Sequence, residues 1–203
     1  MKVSVIKIDP VNPDKRKIAI AAKVIREGGL VVFPTETVYG IAANLLDKKA
    51  VERLRAVKAR PEGKSFTIHI SDLKMIRDMG CAITGTAEKL IAEFWPGPLT
   101  IILKSHKGDN VGFRMPADKI ALELIKASGV PVVAPSANLS GKPAPATAEE
   151  AMADLEGKID MVIDGGRTEV GLESTVVDLT VNPFKVLRTG AIKEEELSKA
   201  LNG

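Results

Sequence analysis

Apolar and polar residues change period repeatedly along the chain, and each change marks an element. Residues 17–27 (KIAIAAKVIRE) carry apolar side chains at helical spacing and stop at Gly28-Gly29, a helix C-terminal signal. The short run LVVF at 30–33 ends at Pro34 and predicts a buried strand. KKAVERLRAVK (48–58) predicts an amphipathic helix with Val51, Leu54 and Val57 on one stripe, closed by Pro61. FTIHI (66–70) alternates as a strand. Asp72 starts a helix through Met79, and Thr86 another through Phe94. LTIILK (99–104) and VGF (111–113) read as strands joined by the loop 106–110. Pro116 and Asp118 precede a helix over 119–128; VPVVA (130–134) is again a buried strand, with a small-residue loop up to Thr147. A helix over 148–155, strands at 161–164, 174–178 and 184–187, and a charged helix at 193–201 complete the chain.

Interleaved helices and strands predict an α/β fold. The closing strands have no long helix between them, so a purely parallel sheet does not fit and a mixed sheet is expected. LSGKPAPAT (139–147) is the best linker candidate, but elements continue on both sides of it. One domain over residues 1–203 is therefore expected.

Composition removes several classes of function. A chain of 203 residues buries roughly 70% of the surface its unfolded form exposes, enough to fold without a disulfide or a structural metal. Cys81 stands alone, and His69 and His106 are the two histidines, so neither a disulfide nor a Cys- or His-based metal cluster is expected. The N-terminus lacks a signal-peptide core, and no apolar run approaches the ~20 residues of a membrane helix. A soluble, cytoplasmic protein with no membrane association is the expectation. Net charge is only +3 and aromatics make up 3%, scattered along the chain, which disfavours a module that stacks nucleic-acid bases.

Generic catalytic motifs are absent. Gly63-Lys64-Ser65 resembles the end of a phosphate-binding P-loop, but Lys58 stands where the first glycine belongs. No dinucleotide fingerprint follows a strand, and Ser136 is not in a nucleophile elbow.

Polar residues gather instead just after buried strands, where open α/β sheets place ligands. Pro34-Thr35-Glu36-Thr37-Val38-Tyr39-Gly40 suits a turn capping a following helix, or a ligand loop. Lys58-Ala59-Arg60-Pro61, with Lys64 behind it, either complements the negative end of a helix or faces an anion. His69 lies mid-strand, opposite Ile68 and Ile70, as a half-buried structural group or a hydrogen-bonding partner for a ligand. Trp95-Pro96-Gly97-Pro98-Leu99-Thr100 reads as a rigid corner. Arg114-Met115-Pro116 leaves a strand, where arginine either clamps a carboxylate bidentately or lies at the surface. The segment Ala134 to Gly141 (APSANLSG) offers backbone N–H groups and hydroxyls to an anion. Glu173-Ser174-Thr175-Val176 enters a strand, and Leu187-Arg188-Thr189-Gly190 leaves one. Lys58, Arg60, Lys64, Arg114 and Arg188 thus supply cations beside hydroxyls at element ends, the parts of a phosphate site. No carboxylate pair or nucleophile–base pair accompanies them. Electrostatic positioning of a phosphoryl or nucleotidyl transfer suits such a set better than a covalent intermediate.

In this order, PTETVYG, K-x-R-P with a His nine residues after the Arg, WPGPLT, R-x-P, PSAN-x-SG, EST-V-x-D and R-x-G resemble the YrdC/TsaC family of threonylcarbamoyl-AMP synthases. The resemblance covers about Leu30 to Gly190, and the family's K-x-R and S-x-N signature stands here as Lys58-Ala59-Arg60 and Ser136-Ala137-Asn138. It implies a YrdC-like twisted mixed sheet flanked by helices, with a basic concave cavity. It implies a nucleotidyltransferase that makes threonylcarbamoyl-adenylate from L-threonine, bicarbonate and ATP, releasing pyrophosphate, with Mg2+ accompanying the triphosphate. A tRNA threonylcarbamoyl-transfer complex would consume the product; weak tRNA binding and a monomer or homodimer complete the expected partners.

The resemblance assigns threonine binding to Thr35 or Thr37, His69, Arg114, Ser174 and the backbone at Ala134. It assigns ATP binding to Arg60, Lys64, Ser136, Arg188 and the backbones near Val111 and Ala144, with Lys58 and Asn138 completing the signature. Lys64 stands where other members carry Asn or another residue, and Ala144 where some carry Ser. In this scheme Lys58 and Arg60 offset the repulsion between two reacting anions. The alternatives are a paralogue of the same fold with different carbamoyl or nucleotide chemistry, and a non-enzymatic RNA-binding protein. Longer family members carry an extra C-terminal domain, expected to be missing here beyond Arg188-Thr189-Gly190 together with the lid its linker provides. With so few aromatics, adenine is expected to lie against backbone groups and aliphatic walls.

Overall fold

The computed structural model describes residues 3–61, 63 and 65–202. β1 (Ser4–Lys7) and α1 (Lys15–Arg26) are followed by β2 (Val31–Phe33), β3 (Gly40–Asn44) and α2 (Lys48–Val57). Next come β4 (Ile68–His69), α3 (Lys74–Asp78), α4 (Gly85–Phe94), β5 (Leu99–Lys104) and β6 (Asn110–Arg114). The chain continues through α5 (Lys119–Ser128), β7 (Val132–Val133), α6 (Ala148–Leu155), β8 (Met161–Asp164), β9 (Thr175–Asp178), β10 (Lys185–Arg188) and α7 (Glu194–Asn202).

Side chains at the helix starts explain several boundaries. Asp14 and Asp47 accept hydrogen bonds from the first free N–H groups of α1 and α2, and Asp118 and Thr147 do so for α5 and α6. α4 begins at Thr84, whose hydroxyl accepts from Ala87 N, and not at Thr86 as the sequence suggested. Sequence periodicity placed no element at β1, and it also missed β3. β3 pairs antiparallel with β2, so PTETVYG joins two strands and caps no helix.

The strands form one mixed sheet in the order β1-β8-β2-β3-β7-β4-β6-β5-β9-β10. One face is covered by α2, α4, α6 and α7, which bury Leu54, Leu90, Leu155 and Leu197 against Val32, Ile41, Ile101 and Phe113. On the other face, α1 and α5 pack Ile25, Ala121 and Leu124 onto Phe33, Ala42, Val132 and Ile163. Their cover ends at β7. Directly paired residues share a face, and His69 pairs with Val132 and with Arg114. The face that α1 and α5 bury over β7 thus continues, without a helix, into β4, β6 and β5. Among the described residues no helix is long and apolar enough to cross a membrane.

Candidate active site

The uncovered half of that face forms the floor of a cleft of about 720 Å3. Alternation supplies the floor: Thr100 and Ile102 from β5, Asn110, Gly112 and Arg114 from β6, and His69 from β4. The C-terminal turn of α2, the loop 134–142 and the chain around 173–174 and 187–188 raise the walls. A register shift between Val186 and Arg188 bulges β10, so the adjacent Leu187 and Arg188 both face the cleft.

Arg114 is buried, and the PTETVYG loop holds it from behind. Its Nη2 donates to Thr37 Oγ1 at 2.7 Å and lies 2.9 Å from Glu36 Oε1. The Glu36 approach is out of line for a hydrogen bond, so the pairing is an ion pair and both Glu36 oxygens lack a donor among the described residues. Burial lowers the guanidinium pKa, and Glu36 opposes the shift. Thr35 donates to Val38 O at 2.7 Å, which leaves Thr37 to donate to Thr35 Oγ1 at 2.9 Å. Both hydroxyl protons are therefore spent inside the loop. Arg114 Nε points at Gly97 O, 3.4 Å away. Gly97 belongs to the WPGP corner, where a Cβ would lie 2.4 Å from Phe94 O. Nη1 has no protein partner among the described residues, so it is the nitrogen of Arg114 best placed to meet a ligand. Tyr39 ties the same loop to the turn after β8, donating to Gly166 O at 2.6 Å.

His69 is buried in the cleft floor beside Arg114. Burial, then the nearby guanidinium, push its pKa down to about 3, so the ring is neutral. Its Nδ1 has no partner among the described residues. Phe33 meets the ring edge-on at 6.3 Å.

α2 ends in a backbone turn that aims the K-x-R residues. Ala59 N donates to Ala56 O and Arg60 N to Arg55 O, with Ala59 left-handed at φ 46°. The turn sends Lys58 inward. Its Nζ donates to Ser136 O at 2.6 Å, to Asn138 Oδ1 at 3.0 Å and to Asn138 O. Ser140 returns the link, donating to Lys58 O at 2.6 Å. K-x-R and S-x-N are therefore two halves of one clasp. Burial lowers the Lys58 pKa to about 8, with Glu173 opposing and Arg60 adding to the shift. Arg60 donates to Ser65 O and lies over the Phe66 ring, 5.0 Å from its centroid, while Arg55 sits 5.2 Å from the same ring.

EST and R-x-G form a second clasp. Arg188 donates to Ser174 O through Nε and Nη2 and to Ser174 Oγ at 3.2 Å, and its Nη1 lies 2.7 Å from Glu173 Oε1. Ser174 Oγ is also 2.9 Å from Thr100 Oγ1. Thr175 turns away from the cleft, donates to Ile192 O and accepts from Gly190 N and Ile192 N. A Cβ on Gly190 would stand 2.1 Å from Glu173 O, so glycine is required where these segments cross.

Residues 23–190 match the family model Sua5_yciO_yrdC, described as telomere recombination. The chain belongs to the Sua5/YciO/YrdC family. Over 194 residues it is 47% identical to the threonylcarbamoyl-AMP synthase of Pyrococcus abyssi, covering 91% of this chain and 57% of that protein. A crystal structure of P. abyssi Sua5 complexed with L-threonine matches with a TM-score of 0.92 at 45% identity, over 97% of this chain and 60% of the other. Escherichia coli YciO matches with a TM-score of 0.86 at 30% identity, over 96% and 99% of the two chains. This Sua5/YciO/YrdC chain thus spans about three fifths of the P. abyssi protein's length.

Of the residues singled out in the sequence, Lys58, Arg60, His69, Arg114, Ala134, Ser136, Asn138, Ser174 and Arg188 meet on the wall of one cleft. Thr35 and Thr37 lie behind Arg114 and do not reach that wall. The Val111 side chain packs on the core while its neighbours Asn110 and Gly112 line the cleft, and Ala144 is not on the lining. Lys64 lies outside the described residues. Oxygens of the protein take all three protons of Lys58, so its donors serve the clasp while its charge stays on the cleft wall. Sequence reasoning passed over Glu36, Thr100 and Glu173. Thr100 left a readable signal, a polar residue inside the apolar run LTIILK. Glu36 left none, because its role exists only once β2 and β3 pair.

Proposed function

We propose that this cleft makes threonylcarbamoyl-adenylate from L-threonine, bicarbonate and ATP. The threonine amine and bicarbonate condense to a carbamate with loss of water. A carbamate oxygen then attacks the α-phosphorus, and pyrophosphate leaves. Two anions about 4 Å apart repel by about 4 kcal/mol at an effective dielectric of ~20, so the wall must supply positive charge. Arg114 Nη1 takes the amino-acid carboxylate, with the neutral His69 beside it. Arg60 and Arg188 take the phosphates, and Lys58 holds the Ser136–Asn138 loop against them. The nucleotidyl transfer is then a matter of positioning and charge.

One shared wall carries the proposal. Arg188 is close enough to bear on the charge of Arg114, and it holds Ser174 directly. An amino-acid subsite and a phosphate subsite therefore adjoin. The likeness to a P. abyssi Sua5 complexed with L-threonine supports threonine as the amino acid. Mg2+ accompanies the triphosphate in this reading and would neutralise phosphate charge. Among the described residues no group of three or more His, Cys, Asp or Glu side chains gathers to hold a metal, so phosphate oxygens and water would be its main ligands. The product is a mixed anhydride, fit for an acyl transfer to a nucleophile on tRNA.

The test is pyrophosphate release by the purified chain, with each substrate omitted in turn and the adenylate identified by mass. Arg60→Ala is expected to lose threonine-dependent pyrophosphate release while keeping its melting temperature. Near-normal release by that variant overturns the assignment. Binding of threonine or ATP without adenylate formation would favour a paralogue of the same fold with different carbamoyl or nucleotide chemistry.

A further inference from the structure

The cleft contains one charge of the wrong sign for a site that gathers anions. Glu173 is the acidic side chain on the described wall, among Lys58, Arg60, Arg114 and Arg188. It lines the cleft next to Ser174 and against Arg188, and its charge bears on Lys58 and on Arg114. Its direct partner is Arg188 Nη1 at 2.7 Å, and both side chains are about two-fifths exposed. A pair that open to solvent separates at little cost.

A triphosphate entering this cleft draws Arg188 towards its own oxygens. Glu173 would then face a polyanion with its counter-charge shared or lost. A divalent cation resolves that conflict, because it needs oxygen ligands and carries charge for both sides. Magnesium in phosphate-transfer sites is held by one or two carboxylates together with substrate phosphates and water. Glu173 fits the first of these roles. Its backbone is fixed, since Ala191 N donates to Glu173 O and Gly190 packs under the same carbonyl. The carboxylate therefore stays at the cleft whichever partner it takes.

We propose that Glu173 is the protein's own ligand to the divalent cation that arrives with the triphosphate. The claim rests on the ATP reading above and adds to it a residue and a metal dependence. With a single carboxylate, the chain holds no metal tightly in the absence of nucleotide. In the absence of metal, Glu173 repels nucleotide.

Calorimetric titration of the purified chain with a non-hydrolysable ATP analogue, in Mg2+ and in EDTA, tests this. The wild type is expected to bind the analogue at least tenfold more tightly in Mg2+. Glu173→Gln is expected to shift the two affinities in opposite directions, weaker in Mg2+ and stronger in EDTA, so that the tenfold preference largely disappears. Melting temperature, measured alongside, should stay within about two degrees. If Glu173→Gln strengthens binding equally in both buffers, Glu173 is a bystander charge and the proposal fails. An unchanged metal preference also overturns it. Arg60→Ala separates the two levels. If wild type binds the analogue and Arg60→Ala does not, the nucleotide site stands whatever Glu173 does. If wild type binds no analogue in either buffer, the function and the metal role fall together.

Discussion

Lys58 shows how burial and hydrogen bonding divide the work of one side chain. Three oxygens of the Ser136–Asn138 segment use its three protons, and burial lowers its pKa to about 8. Above that pH the neutral amine has two protons for three acceptors, and the cleft loses a positive charge. kcat/KM for ATP is therefore expected to fall as pH rises through about 8, and Lys58→Met should show the low value already at pH 7. Stability moves the other way. The folded pKa lies below the ordinary lysine value of 10.5, so folding favours the neutral amine. The penalty of burying the ammonium is full below about 8 and fades as pH rises towards 10.5. A melting temperature that does not fall between pH 8 and 10 would separate a local titration from unfolding. A flat pH–activity profile across the same range would remove Lys58 from the site. The K-x-R spacing was legible in the sequence, but the clasp was not. It joins residues 78 and 80 positions apart, and only the fold brings them together.

Among the elements, α2 and its terminal turn carry the most strain that can be read. Ala59 sits at φ 46°, where a Cβ crowds the following carbonyl. Glycine at this left-handed position removes the clash, at the cost of a more flexible unfolded chain. Ala59→Gly is expected to raise stability by up to about 1 kcal/mol, read as a small rise in denaturant midpoint, with Arg60 and Lys58 still in place and activity kept. A lower midpoint would mean that the methyl group contributes packing which outweighs its strain. Helical spacing made α2, α5 and α6 legible almost to the residue, because their caps and apolar stripes agree. β3 was hidden because Gly-Ile-Ala-Ala-Asn is buried at every position, so it lacks alternation, and only its Ile favours a strand. Missing β3 had a direct consequence. The PTETVYG loop appeared free to cap a helix or to touch a ligand, whereas the β2–β3 hairpin commits it to holding Arg114.

At the scale of the molecule, the sheet has two free edges with different neighbours. Among the described residues β1 and β10 each pair with one strand only, and both are largely exposed. β10 borders the cleft through Leu187 and Arg188, while β1 lies at the opposite end, beyond β8. Backbone amides on both edges should exchange with solvent far faster than those of β2 and β8, which are enclosed in the sheet. Ligand binding then distinguishes a local effect from a global one. Any ligand that binds the folded state stabilises the whole molecule and slows exchange wherever global unfolding is the route. Edge strands open locally, so that general stabilisation barely reaches them. A triphosphate held by Arg188 should therefore slow the amides of Val186–Arg188 by at least tenfold and leave Val5–Lys7 unchanged, as hydrogen–deuterium exchange by mass spectrometry would record. Equal slowing at both edges would point to a change of the whole fold. No slowing at β10, with saturating ligand and protected β2 and β8, would place the phosphates elsewhere on the chain.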